Sequence, residues 1–189
     1  ANEHFKDSIV VTDVGQHQMW TAQHWSFKRP RTWLSSGGLG TMGYGLGAAI
    51  GAQTANPQKE VVLVTGDGSF RMNCNELGTV SKYGLPITIL LFNNNTLGMV
   101  RQWQGMFCND NFSETDLGDE VDFMALGEAY GIKGRRAVDH EELESALKWA
   151  KQERRPVIIE CKFSMDQWVY PIVPAGRAIN EMIYEEGRA

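Results

Sequence analysis

Two short polar clusters, Gly66-Asp67-Gly68-Ser69 and Asn93-Asn94-Asn95, each follow directly on an apolar run. Carboxylate and carboxamide oxygens are hard donors of the kind Mg2+ selects. That ion typically takes only one or two protein carboxylates and fills its octahedron with phosphate oxygens and water. Glycines on both sides of Asp67 let the backbone approach a ligand closely. Ser69 adds a hydroxyl and a free N–H at the start of the following helix, where anions are favoured. Alone, the first cluster reads as a turn and the second as a polar loop. Together, ending two buried-type strands with one crossover between them, Asp67 and Asn94 point to a magnesium diphosphate site.

Two other segments carry donor groups. Gly15-Gln16-His17-Gln18-Met19-Trp20 follows a third apolar run, and its Gln16 and His17 are able to donate hydrogen bonds to phosphate oxygens. Gly38-Leu39-Gly40-Thr41-Met42-Gly43 has the G-x-G-x-x-G spacing of dinucleotide binding, with Asp67 roughly where a ribose-binding acid would fall. The segment before it, Arg31 to Ser36, makes a poor buried strand, and a dinucleotide reading leaves Asn93-Asn94 unexplained. There is no P-loop lysine motif and no local signature of a serine or cysteine nucleophile.

These groups need elements to position them. Short apolar runs at 9–12, 61–65, 87–92 and 157–161, rich in β-branched residues and bounded by turn residues, predict buried parallel strands. Between them, segments 43–54, 75–83, 122–130 and 139–153 predict helices. In the last of these, Asp139 followed by Glu142 suggests a capping box, and Leu143, Ala146, Leu147 and Ala150 make an apolar stripe. The alternation predicts a doubly wound α/β fold, a mostly parallel sheet with helices on both faces. Ligands of such sheets bind beyond the carboxyl ends of the strands, where Gln16, His17, Asp67 and Asn94 all fall.

The 189 residues fit one domain, expected to span 1–189, with 167–189 as a C-terminal arm that is extended first and then forms a short helix from Ala178. The start is abrupt, with Ile9-Val10-Val11 already strand-like, as expected of a domain cut from a longer chain. A net charge of −5, with basic residues only in short groups, argues against nucleic-acid binding. Three separated cysteines and no membrane-length apolar run favour a reducing, cytoplasmic setting away from the membrane.

Gly66-Asp67-Gly68-Ser69 followed by Asn93-Asn94 resembles the signature of thiamine-diphosphate-dependent enzymes, in their diphosphate-binding domain. Within that superfamily, GQHQMW at 15–20, SGGLGTMGYGL at 36–46, GDGSFRMN at 66–73, NNNTLGMVRQWQ at 93–104 and YPIVPAG at 170–176 are similar to the catalytic large subunits of acetolactate (acetohydroxyacid) synthases. The resemblance implies that Asp67, the Asn94 side chain and the Thr96 carbonyl bind Mg2+. It places Gln16, His17, Gly68, Ser69, Gly98 and Met99 against the diphosphate, and counts Asn95 and Leu97 among the cofactor-binding residues. It sets Gly40, Thr41 and Met42 along thiamine diphosphate, with Met42 against the aminopyrimidine, in place of a dinucleotide. It assigns Gln102 and Trp103 to the substrate channel.

The same resemblance implies what is missing. The family's catalytic glutamate lies in a separate pyrimidine-binding domain, so no catalytic residue is expected in this chain. FAD, held in the complete enzyme with the help of a middle domain, is not expected to bind this domain alone. The chain corresponds to the last third or so of such a subunit. The implied reaction condenses two 2-oxo acids, pyruvate with pyruvate or 2-oxobutyrate, with loss of CO2, in branched-chain amino-acid biosynthesis. The implied partners are the rest of the subunit, further copies in a homodimer or tetramer, and a regulatory small subunit. A subunit of a split thiamine-dependent 2-oxo acid decarboxylase, or a binding module without activity, stands as the alternative. Two departures are Gly47, where relatives often carry proline, and Thr96, at a position whose side chain varies among them.

Overall fold

Side chains of a strand alternate between faces, so a strand that is apolar at every position must be covered on both. The computed structural model, which describes residues 1–184, satisfies this requirement with one parallel sheet in the order β2-β1-β3-β4-β6-β5. The strands are β1 (Ile9–Thr12), β2 (Trp33–Ser35), β3 (Val61–Gly66), β4 (Ile87–Asn93), β5 (Lys133–Ala137) and β6 (Val157–Lys162). Their register aligns Val11, Leu63, Ile89 and Ile158 in one row across four strands. This row packs against Leu46 and Ala49 of α2 (Tyr44–Ala55), Phe70 of α3 (Asp67–Arg71), Leu77 and Val80 of α4 (Leu77–Tyr83) and Phe123 of α6 (Phe123–Ala129).

The opposite face, with Val10, Val62, Leu90 and Ile159, is covered by Phe5 and by Ala146, Leu147 and Ala150 of α7 (His140–Gln152). Burying each large aliphatic side chain contributes about 1.5–3 kcal/mol, so these two layers are the main source of stability. Two helices remain, α1 (Gln16–His24) and α5 (Gly98–Phe107), and both start at the carboxyl edge of the sheet.

The four expected strands are present, and two more join them at the edges. β5, Lys-Gly-Arg-Arg-Ala, is exposed at every position but its last. β2 has only three residues, with Trp33 stacked on Phe27 at 5.1 Å. Edge strands need little apolar surface, and charge there discourages pairing with other chains. The Asp139 carboxylate accepts from the Glu142 N–H at 2.8 Å as a cap should, but the Glu142 carboxylate takes the Val138 N–H at 2.9 Å, one residue earlier than a capping box requires. The helix expected from Ala178 is a single 3-10 turn, Ile179–Glu181. The last five residues of the expected arm, 185–189, lie outside the described residues.

From β1 the chain crosses through α1 to β2 on one side, and from β3 through α3 and α4 to β4 on the other. Strand order therefore reverses between β1 and β3, which opens a crevice at their carboxyl ends. Pairing of Gly66 with Phe92 sets Asp67 and Asn93-Asn94 at one level along it.

Candidate functional site

The crevice holds a cavity of about 270 Å3, close to the lower end for small-molecule sites. Asp67, Asn94 and Thr96 all line it. Asp67 is 2% exposed, and its Oδ2 has no hydrogen-bond partner. Burial pushes its carboxyl up to about 6, against main-chain N–H groups, that of Gly68 first, and Arg71, which pull it down. A desolvated carboxylate with a free oxygen is incomplete without a cation or a proton. Asn94 donates its Nδ2 to Gln16 Oε1 at 3.3 Å, so its own oxygen is the acceptor left over. Thr96 bridges Asp116, but the ladder bonds run from the Leu97 N–H to the Thr115 carbonyl and from the Leu117 N–H to the Asn95 carbonyl, which leaves the Thr96 carbonyl outside them.

α1 brings in the next pair. His17 is buried, and its Nε2 has no partner. Desolvation lowers its pKa to about 3, with the Asp13 main chain opposing, so the ring is neutral at neutral pH. It lies across the end of β3, where a Cβ on Gly66 would sit 2.8 Å from His17 Nδ1. Gln16 Nε2 donates to Gln102 Oε1 at 3.1 Å and to the Gln167 carbonyl at 2.9 Å. Its oxygen, facing Asn94, passes over Gly98, where a Cβ would fall inside the Gln16 side chain and 2.9 Å from Asn94 Nδ2. Gly98→Ala is therefore expected to cost about 1–3 kcal/mol through overpacking, read as a lower urea midpoint at unchanged slope.

The remaining expected residues divide. Gly68, Ser69, Leu97, Gly98 and Met99 line the cavity, as do Gly40 and Met42 from the glycine-rich loop. The Ser69 hydroxyl is already committed, donating to the Val14 carbonyl at 2.8 Å, so its N–H is the group left for an anion. Thr41 is exposed and donates its N–H to Ser36 Oγ at 3.0 Å. Asn95 stands behind the wall with φ 56°. Gln102 lies outside the wall, fully buried: its amide accepts from the Val169 N–H and donates to the Val169 carbonyl, both at 2.9 Å. It fastens α5 to the C-terminal arm. Trp103 points outward, 44% exposed and edge-on to Phe107 at 5.4 Å.

Two features escape sequence reasoning. Asp13, 2% exposed, accepts from the Val14, Gly43 and Gly45 N–H groups at 3.1, 2.9 and 3.3 Å, and from the Thr65 hydroxyl at 3.3 Å. It joins β1, β3 and the exit of the glycine-rich loop. The cavity also has an aromatic wall, in which Phe163 lies 5.7 Å from Trp20 and 5.9 Å from Phe92. Pairing of β4 with β6 places Phe163 there, its N–H bonded to the Asn93 carbonyl at 3.2 Å.

Among the described residues no group of three or more His, Cys, Asp and Glu is placed to hold a metal ion. One carboxylate, one carboxamide oxygen and one free carbonyl form a donor set that suits Mg2+ only when an anionic ligand completes it, as a diphosphate would. The amides at the starts of α3 and α5 supply donors that such an anion needs, while the one N–H of the neutral His17 ring is taken by the Asp13 main chain.

Comparison with known proteins agrees with this chemistry. Residues 13–161 match the family described as thiamine pyrophosphate enzyme, C-terminal TPP binding domain. The chain is 47% identical over 177 residues to the acetolactate synthase isozyme 2 large subunit of Escherichia coli (strain K12), covering 94% of this chain and 32% of that protein. It is 44% identical over 175 residues to the probable acetolactate synthase large subunit of Methanocaldococcus jannaschii, covering 93% and 30%. It is 45% identical over 183 residues to the mitochondrial acetolactate synthase catalytic subunit of Saccharomyces cerevisiae, covering 97% and 26%. The chain thus spans about a third of the length of such relatives, and it belongs to the thiamine pyrophosphate enzymes as their C-terminal TPP-binding domain.

Proposed function

We propose that residues 1–189 are the diphosphate-anchoring domain of an acetolactate synthase catalytic subunit. The observation that carries this reading is the buried Asp67 oxygen without a partner, in one cavity with Asn94 and Thr96. Asp67, the Asn94 side chain and the Thr96 carbonyl hold Mg2+. The amides of Gly68, Ser69, Gly98 and Met99 receive the diphosphate, Gln16 and His17 wall the cavity beside it, and Gly40, Thr41 and Met42 support the rest of the cofactor. When bound, thiamine diphosphate supplies the chemistry that removes CO2 from one 2-oxo acid and joins the remainder to a second. This chain orients the cofactor, and its aromatic wall excludes water from that side.

Another polypeptide segment completes the site. Val100, Trp103 and Phe107 are exposed beside the cavity, an apolar surface of the kind that packs against a partner. The remaining domains of the subunit, a second copy in a homodimer or tetramer, and a regulatory subunit are the partners this reading assigns, and Trp103 borders the substrate path once they are in place, with Gln102 buried behind it. FAD belongs to the complete enzyme. Among the described residues no helix is long and apolar enough to cross a membrane, and three free cysteines suit a reducing cytoplasm.

Calorimetry separates this reading from the dinucleotide one. The chain is expected to bind thiamine diphosphate in the presence of Mg2+ and not to bind NADH; the reverse result overturns it. Acetolactate formation by the chain alone is expected to be negligible, and turnover without another polypeptide would refute the assignment of an anchor.

A further inference from the structure

A line of buried polar groups runs from the far edge of the sheet to the loop that carries Asn94 and Thr96. At its outer end Arg136 of β5, its side chain 43% exposed, donates Nε to Glu160 Oε2 of β6 at 2.7 Å. Asp122, 3.5 Å from Arg136 Nη2, faces the same guanidinium. Glu160 is 1% exposed, a burial that a carboxylate tolerates only when its oxygens are satisfied. Its second oxygen accepts from Asn93 Nδ2 at 2.6 Å. The other end of the Asn93 amide, Oδ1, accepts the Asn95 N–H at 3.1 Å.

The order of these bonds matters. A carboxylate only accepts, so Glu160 dictates that the NH2 end of the Asn93 amide faces it and that the oxygen faces Asn95. The oxygen then holds Asn95 in the left-handed conformation, φ 56°, which asparagine adopts more readily than most residues. The turn at Asn95 sets how Asn94 and Thr96, on either side of it, line the cavity.

Resting on the functional reading above, we propose that Arg136, Glu160 and Asn93 form a positioning relay for the metal loop. By fixing the orientation of one amide, the relay holds Asn94 and Thr96 in the geometry that takes Mg2+. None of the three lines the cavity, so each acts through the loop and not on the ligand.

The test uses the full chain and calorimetry with Mg2+-thiamine diphosphate, with melting temperature and amide hydrogen exchange measured alongside. Glu160→Gln presents both a donor and an acceptor to Asn93 and removes the constraint. It is expected to weaken binding about tenfold, the scale of losses when a group orienting a metal ligand is changed. Adding Asn93→Ala to that variant is expected to weaken binding little further, because the two residues act as one unit. In the unliganded variants the Asn95 N–H is expected to exchange faster than in the wild-type chain, a readout that needs no cofactor. Arg136→Gln, at a half-exposed position, carries the same expectation with less risk to folding. A merely structural role would lower the melting temperature and leave both affinity and Asn95 exchange unchanged, which overturns the relay. A wild-type chain that takes up no Mg2+-thiamine diphosphate overturns the functional reading itself, whereas wild-type binding matched by Glu160→Gln overturns the relay alone.

Discussion

Asp67→Asn is expected to abolish binding of Mg2+-thiamine diphosphate while making the unliganded chain more stable. The two effects have one origin. The Asp67 carboxylate is buried with an oxygen that finds no partner, so its charge is a cost in the empty site and the main attraction for a cation in the filled one. Asparagine keeps the shape, removes the desolvated charge and is expected to raise stability by about 1–3 kcal/mol near pH 7.5. Denaturant titration with and without cofactor reads both signs, and a variant that loses stability and retains affinity refutes this account.

Its pH dependence follows from the raised pKa. The folded-state value is about 6 against 3.8 for the free group, so protonation favours the folded chain. The associated stability is fully present below pH 3.8 and is lost as pH rises through about 6. The difference between the wild-type and Asp67→Asn chains should therefore grow across that window and level off above it. Cofactor affinity runs the other way, because a proton competes with the metal. It should fall as pH drops below about 6, and an affinity flat from pH 7 to pH 5 would exclude Asp67 as a ligand.

Asp13→Ala is expected to be the most destabilising change near the cavity that removes no cavity-lining residue. It strips the acceptor from the N–H groups of Val14, Gly43 and Gly45 and from the Thr65 hydroxyl. Buried donors left without acceptors cost about 1–3 kcal/mol each; partial relaxation brings the expected total to about 3 kcal/mol. Burial raises the Asp13 pKa despite these bonds, so the value of the residue lies in acceptor geometry more than in charge. Asp13→Asn, which keeps one acceptor oxygen, should cost clearly less. Equal losses for the two variants, by urea midpoint, would show that charge dominates.

The central strands and the cavity ends were readable because burial on both faces writes contiguous apolar runs, and the residues that terminate them are what a ligand meets. β5 was not readable: an edge strand spelled Lys-Gly-Arg-Arg-Ala is held by pairing with β6 and carries almost no apolar signal. The metal donors were legible by type, yet their supports were not. Asp13 finds its partners 30 and 32 residues away, Gln102 meets Val169 across 67 residues, and Asn93 meets Glu160 across 67. A polar side chain does not announce whether it faces a ligand or a distant main chain, which is why Gln102 reads equally well as a channel residue and as a fastener. Ser69 shows the same ambiguity within one residue, since it lines the cavity while its hydroxyl serves the fold.

The cavity walls come from the exits of β1, β3, β4 and β6 together with the glycine-rich loop. The lining residues are drawn from segments around 14–20, 40–42, 66–69, 92–100 and Phe163, brought together by the sheet. Unfolding of the sheet therefore separates these walls and releases a ligand. Ligand occupancy and cooperative unfolding become a single equilibrium, in which saturation at a hundredfold excess over Kd adds about 2.7 kcal/mol to the stability of the whole sheet. A cell that keeps this cofactor abundant thereby sets how long the domain survives proteolysis.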